Sequence, residues 1–128
     1  MQAYMPVHYQ QLSYIALCLP YNDFMPCHPF LGTVLNTGVS TLAHRDGMDL
    51  GFCLVMPVGT WDGAWLGLYE MRLVWAPVSE NLFWFLSNTV THFNDHLAGT
   101  RCSYVFNTDS NHAQWASSSN NFNARRAY

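Results

Sequence analysis

The sequence predicts a mainly β protein, an all-β sandwich or barrel with one short helix at its N-terminus. The chain has 128 residues, which is enough for one hydrophobic core and too short for two. Half of the residues are hydrophobic and only 10% are charged, against a usual fraction of about 25%, so the chain is not disordered. Short apolar and aromatic segments recur at turn-like spacing, which is typical of all-β folds.

The short helix is predicted over residues 7–19. Its apolar positions follow the helical spacing i, i+3, i+4 and i+7, at Leu12, Ile15, Ala16 and Leu19. Pro20 is expected to end the helix, because proline lacks the backbone N–H that a further turn would need. Residues 21–29 contain Asn, Asp and two more prolines, so we expect an irregular loop there.

Strands and turns are predicted for most of the remaining chain. The strand-like segments are residues 30–35, 39–44, 51–58, 65–69, 73–76, 82–86, 90–93 and 103–107. The first two flank a predicted hairpin turn at Asn36, Thr37 and Gly38. The third is a nearly continuous apolar run, which is typical of a strand buried on both faces.

The C-terminal segment, residues 109–123, is rich in Asn and Ser and is predicted to fray, with Trp115 and Phe122 as candidate anchors. No internal repeat and no boundary divides the chain. We therefore expect residues 1–128 to form a single domain. The low charge of so small a domain further leads us to expect a minimal domain, or one truncated at its N-terminus.

The composition limits partners and compartment. All five basic residues are Arg and the net charge is −3, which excludes a polybasic binder but not an enzyme that holds a few nucleotides. The four cysteines form no Cys-x-x-Cys pair and no signal peptide is recognisable, so we expect reduced thiols in an intracellular protein. Residues 1–22 contain no Asp, Glu, Lys or Arg but are interrupted by polar residues and proline, so no membrane span is predicted.

One short motif carries the predicted chemistry. His44 and Asp46 are two residues apart, and in a strand this spacing places both side chains on one face. His92, on a later predicted strand, is the expected third ligand, and His96, in a predicted turn at residues 95–99, is the alternative. Two histidines and one carboxylate form the facial triad of non-haem Fe(II) oxygenases, with open positions for a co-substrate and O₂.

A second pair of residues predicts the co-substrate. If the chain turns at residues 95–99 and returns as the next antiparallel strand, Arg101 and Ser103 lie on one face. A guanidinium and a hydroxyl together suit a carboxylate end group. A dicarboxylate bound to iron at one end and to Arg101 and Ser103 at the other would be 2-oxoglutarate.

The sequence around these residues resembles a known family. The matching runs are residues 35–49 (LNTGVSTLAHRDGMD), 52–59 (FCLVMPVG), 91–94 (THFN) and 99–106 (GTRCSYVF). They resemble the TET/JBP-type dioxygenases that depend on 2-oxoglutarate and Fe(II). They are most similar to the forms found beside transposons in mushroom-type fungi.

The resemblance implies a double-stranded β-helix, or jelly roll, with His44, Asp46 and His92 as the iron ligands and Arg101 holding 2-oxoglutarate. It also implies oxidation of the methyl group of 5-methylcytosine or thymine in nucleic acid, with the base flipped out of a duplex. Nucleic acid would then be a weakly bound partner, and the protein would act in the nucleus. The residues alone leave two alternatives, a hydroxylase of a protein side chain or small molecule, and a degenerate, non-catalytic member of the fold.

Three further polar residues lie in or near the motif that carries His44 and Asp46. The resemblance favours Asp49 as a residue that orients the ligand-bearing segment, rather than a solvated turn residue. Asn36 is expected in a turn, with a supporting contact in the site as the alternative. Arg45 alternates to the opposite face and is expected to be structural or exposed.

Two turns depart from the family pattern, and both predict local backbone strain. Residues 61–65 (WDGAW) replace one glycine of a Gly-Gly turn, and residues 77–81 (PVSEN) occupy the place of a Pro-Gly-Asp turn. A residue other than glycine at positive φ costs about 1 kcal/mol.

Several aromatic residues could stack on bases, but we expect them to pack in the core or on a sheet. They are Trp61, Trp65, Trp75, Trp84 and Phe85.

Overall fold

The computed structural model describes residues 1–19 and 25–126, with side chains to residue 118. Two helices and eight strands are present in this part of the chain, in the order α1 (Pro6–Cys18), β1 (Gly32–Thr37), β2 (Thr41–His44), β3 (Cys53–Gly63), β4 (Leu66–Leu68), β5 (Leu73–Trp75), β6 (Phe83–Phe85), β7 (His92–Asn94), β8 (Leu97–Asn107) and α2 (Ser110–Arg126). Pro20 and the first part of the predicted loop lie outside the described residues.

The strands form two four-stranded antiparallel sheets. The first sheet has the order β1-β8-β3-β6 and the second has the order β2-β7-β4-β5. Apart from β4 and β5, strands that follow one another along the chain lie in different sheets. This arrangement is that of a jelly roll, so the predicted fold class is confirmed.

The two faces of the first sheet are both covered, which explains the long apolar run in β3. On one face, Leu54 packs with Leu12 of α1 and with Phe30. On the other face, Cys53 and Phe85 form the main core with residues of the second sheet, including Leu66 and Leu68. The predicted helix is therefore confirmed, and its buried side is the one that the apolar spacing indicates.

Two predicted connections are wrong. Residues 36–38 do not form a hairpin turn, because Asn36 and Thr37 continue β1, opposite β8, and the chain then crosses to the second sheet. Likewise β8 is not the neighbour of β7: it begins at Leu97 and pairs with β3 and β1. Local turn signals mark where a strand ends but do not say which sheet receives the next one.

The C-terminal segment forms helix α2, so the prediction that it frays is wrong. Asp109 accepts a hydrogen bond from the N–H of Asn111 at 2.7 Å, which satisfies one of the free donors at the start of the helix. The helix contacts α1 and its Trp115 is half-buried. The side chain of Phe122, the other candidate anchor, lies outside the described residues. Neither helix, within the described residues, has the length and hydropathy to cross a membrane.

The aromatic residues divide between core and surface. Trp75 stacks on Phe83 with ring centroids 4.5 Å apart, Phe85 is buried, and Trp84 packs against the cluster beneath α1, as predicted. Trp65 is 56% exposed in the connection between the two sheets, so its expected packing is wrong. Trp61 is half-buried on β3.

The turns that depart from the family pattern keep a left-handed backbone without the glycine. Ala64 has φ 57° and Glu80 has φ 69°. Replacing the exposed Glu80 by Gly should raise the free energy of unfolding by about 0.5–1 kcal/mol, because glycine adopts this φ without a Cβ clash. Urea unfolding measures the change. Glu80→Ala, which removes the charge but keeps Cβ, should leave stability within about 0.3 kcal/mol of the parent, and an equal gain in both variants would contradict backbone relief.

Candidate metal centre

Three predicted ligands lie together at the edge where β2 meets β7. His44 ends β2, Asp46 follows in the next loop, and His92 begins β7 directly opposite His44. Their ligand atoms all lie within 4.8 Å of one another. The two carboxylate oxygens of Asp46 lie 3.6 Å from Nε2 of His44 and 3.4 Å from Nε2 of His92. The alternative ligand His96 is exposed and is not part of this cluster.

The backbone fixes the orientation of both imidazole rings. Nδ1 of His44 lies 2.7 Å from the carbonyl oxygen of Leu42, and Nδ1 of His92 lies 2.9 Å from that of Val90. A neutral imidazole that donates from Nδ1 carries its free lone pair on Nε2, the atom that faces Asp46. Both histidines are thus prepared to bind a cation through Nε2.

The cluster is open on one side. The side chains of His44 and Asp46 are 40% and 42% exposed, while that of His92 is 9% exposed. Behind them a cavity of about 590 Å³ extends between the two sheets, a size typical of small-molecule sites. Its inner wall is apolar and includes Val55, Leu66 and Phe85.

Arg101 lines the same cavity and is only 5% exposed. Its guanidinium donates hydrogen bonds of 3.1 Å to the carbonyl oxygens of Ala64 and Val39, and it forms no ion pair within the part of the chain that the structure describes. Burial lowers the pKa of Arg101. A buried cation with spare N–H donors and no acidic partner is a site for an anion.

Ser103 lies on the same strand as Arg101. It is two residues further along β8, is buried like Arg101, and lines the same cavity. The shared face of the two residues is therefore as predicted, although the pairing assumed for β8 is not. Asn36 pairs with Ser103 from β1 and also lines the cavity, so its predicted place in a turn is wrong.

Asp49 is buried beneath the loop that carries Asp46. It accepts hydrogen bonds from Oγ of Ser87 at 2.6 Å and from Nδ2 of Asn107 at 2.7 Å. Its own N–H donates to the carbonyl oxygen of Asp46, and the N–H of Asp46 donates to that of Ser87. Asp49 is thus well placed for the orienting role that the resemblance implies. Ser87 and Asn107 carry no sequence signal that would connect them to this loop.

A second polar group lies on the outer side of the ligands. Arg45 donates to Oγ1 of Thr91 at 3.0 Å and to the carboxylate of Glu70. Glu70 also accepts hydrogen bonds of 2.6 Å from the N–H and from Oγ1 of Thr91. Arg45 is exposed, as expected, but its two partners were not found from the sequence because they lie 25 and 46 residues away.

Comparisons with known proteins show which solved structures share this fold. The sequence matches no family model and no curated protein. Among the solved structures that match is NgTET1 in complex with 5mC DNA, with a TM-score of 0.65 and 16% sequence identity. The match covers 78% of this chain and 42% of that one, so the chain spans less than half of the neighbour's length. The likeness shows a TET-like fold, whereas the resemblance to the fungal forms stays a prediction.

Proposed function

We propose that this chain is an Fe(II)- and 2-oxoglutarate-dependent dioxygenase that oxidises the methyl group of 5-methylcytosine or thymine in nucleic acid. The observation that carries the proposal is one cavity that joins the His44, Asp46 and His92 cluster to a buried Arg101, which forms no ion pair with any described residue. The TET-like fold supports the dioxygenase class.

The donor set fits iron. Two imidazole nitrogens and one carboxylate are the ligands that non-haem Fe(II) oxygenases use, and they leave positions open for further oxygen ligands. The thiol of Cys53 also lines the cavity, but burial raises its pKa to about 12, so it stays protonated. His44, Asp46 and His92 would therefore hold the metal, and bound iron would supply the activation of O₂ with 2-oxoglutarate.

The residues around Arg101 fit the far end of the co-substrate. Arg101 would bind the distal carboxylate of 2-oxoglutarate with its spare N–H groups, and the hydroxyl of Ser103 would donate a further hydrogen bond. The carboxylate would in turn neutralise a buried charge that has no other acidic partner within the described residues. The apolar wall would exclude water from the rest of the co-substrate.

The substrate would approach from the exposed side of His44 and Asp46. The structural neighbour was solved with 5mC DNA, which supports nucleic acid as the substrate class. With no lysine and a net charge of −3, the chain would contact few phosphates, so binding would be weak and would depend on a flipped base. The same low charge favours a second candidate, a hydroxylase that acts on a protein side chain or a small molecule.

Product analysis distinguishes these substrates. We expect the chain, supplied with Fe(II), 2-oxoglutarate and O₂, to convert 5-methylcytosine in a short oligonucleotide to its hydroxymethyl form, detected by mass spectrometry. An oligonucleotide with unmodified cytosine is the control. Succinate formed without any change in either oligonucleotide would move the proposal to the second candidate. No succinate under any condition would favour a non-catalytic member of the fold.

A further inference from the structure

We propose that Glu70 is a positioning residue for the metal centre. Its carboxylate accepts hydrogen bonds from both Arg45 and Thr91. It thereby holds the two segments that carry the ligands at the distance that a metal ion requires. The inference rests on the proposed function, because it assumes that the three clustered side chains bind a metal.

The positions of the contacts in the chain support this role. Arg45 stands between the ligands His44 and Asp46, and Thr91 immediately precedes the ligand His92. The hydrogen-bonded group of Arg45, Glu70 and Thr91 is called the Glu70 clasp here. Arg45 and Thr91 are each adjacent in the chain to the ligands, so the clasp acts one residue away from all three of them, on the face that points away from the cavity. Glu70 closes the clasp from the turn that follows β4, the strand next to β7.

Few backbone pairs connect β2 and β7, the strands that carry His44 and His92. β2 and β7 are paired at only two points, Thr41 with Asn94 and His44 with His92, and the register is irregular between them. Asp46 lies beyond the last of these pairs. The N–H of Asp46 is held by the carbonyl oxygen of Ser87, and the hydrogen bonds among Arg45, Glu70 and Thr91 add a side-chain link between this ligand segment and the start of β7.

The clasp is charged and partly exposed. Hydrogen bonds from Thr91 and Arg45 lower the pKa of Glu70 to about 2, so the carboxylate stays ionised at neutral pH. The side chains of Arg45 and Glu70 are 53% and 36% exposed, and ion pairs with such exposure contribute little to the stability of a fold. The effect of Glu70 should thus appear in metal binding and hardly in unfolding.

Cobalt(II) binding measures this effect without requiring catalysis. The full chain, freed of metal and without 2-oxoglutarate, is titrated with Co(II) while its visible absorption is recorded. Glu70→Ala should weaken Co(II) binding about 10-fold and change the shape of the d–d bands, because a loosened ligand set alters the coordination geometry. Glu70→Gln keeps the side-chain shape and one of the two acceptor oxygens, so it should recover part of the affinity.

Matched variants separate positioning from general damage. Glu80→Ala removes an exposed glutamate that makes no contact with either ligand segment, and it should bind Co(II) like the parent. Circular dichroism and the melting temperature are measured for every variant. If Glu70→Ala does not fold, Arg45→Ala opens the same clasp from the other side and is judged by the same criterion.

The outcomes distinguish this inference from the function on which it rests. A parent chain that binds no Co(II) overturns the proposed metal site and the role of Glu70 with it. A parent that binds Co(II), together with a folded Glu70→Ala variant that binds within twofold of it and has the same spectrum, overturns the role of Glu70 alone. Weakened binding in Glu70→Ala and recovery in Glu70→Gln support it.

Discussion

Replacing Asp46 by Ala is expected to abolish turnover and to weaken Fe(II) binding at least 100-fold. Asp46 supplies the only carboxylate of the metal cluster, and its two oxygens face Nε2 of His44 and Nε2 of His92. Without it, two neutral imidazoles would hold a dication that is no longer partly neutralised by the protein. The other two members of the cluster are histidines, so the variant keeps no carboxylate in the cluster.

The measurement is the visible spectrum under anaerobic conditions with Fe(II) and 2-oxoglutarate. Chelation of the co-substrate to iron should give a charge-transfer band in the parent and none in Asp46→Ala. The matched control is Asp62→Ala, because Asp62 is an exposed carboxylate on β3 that does not line the cavity. A band of equal intensity in Asp46→Ala would contradict the metal assignment.

Replacing Arg101 by Ala is expected to raise the concentration of 2-oxoglutarate needed for half-saturation by about 100-fold. The guanidinium is the one described cation in the cavity wall, and a loss of this size corresponds to about 2.7 kcal/mol, within the range of two charge-assisted hydrogen bonds. At saturating co-substrate, kcat should fall much less than in Asp46→Ala, because the metal ligands are untouched. Titration of the charge-transfer band with 2-oxoglutarate measures the shift directly.

Stability must be followed in parallel, because Arg101 also donates to the carbonyl oxygens of Ala64 and Val39. Loss of these bonds should lower the free energy of unfolding by about 1–3 kcal/mol. Arg101→Lys keeps the charge without the planar fork, so it should recover part of the affinity for 2-oxoglutarate but not all of it. An unchanged half-saturation in a folded Arg101→Ala variant would contradict the assigned role.

The grouping of the three candidate metal ligands could be predicted from the sequence because its geometry is mostly local. His44 and Asp46 lie two residues apart, and only His92 had to be brought from elsewhere. The face shared by Arg101 and Ser103 follows from strand alternation in the same way and does not depend on which strands flank β8. The mainly β class followed from composition and strand spacing, the jelly roll followed from the family resemblance, and both are confirmed.

What could not be predicted depends on long-range partners. The glycine after Thr37 looks like a hairpin signal, yet β1 pairs along its whole length with the distant strand β8 and the chain then crosses to the other sheet. Glu70 has no motif of its own, and its importance arises only when folding brings it to Arg45 and Thr91. Helix α2 has a polar sequence, and its cap at Asp109 and its contact with α1 stabilise it.

The two carbonyl groups that Arg101 contacts lie where the chain leaves one sheet for the other. Val39 precedes β2, after the chain has left β1, and Ala64 separates β3 from β4. Arg101, which would bind the co-substrate, therefore also links the β1–β2 connection to the β3–β4 connection, the two places where the chain passes between the sheets at this end of the sandwich. One guanidinium thus serves both the proposed anion site and the link between the sheets, so a substitution of Arg101 changes both at once.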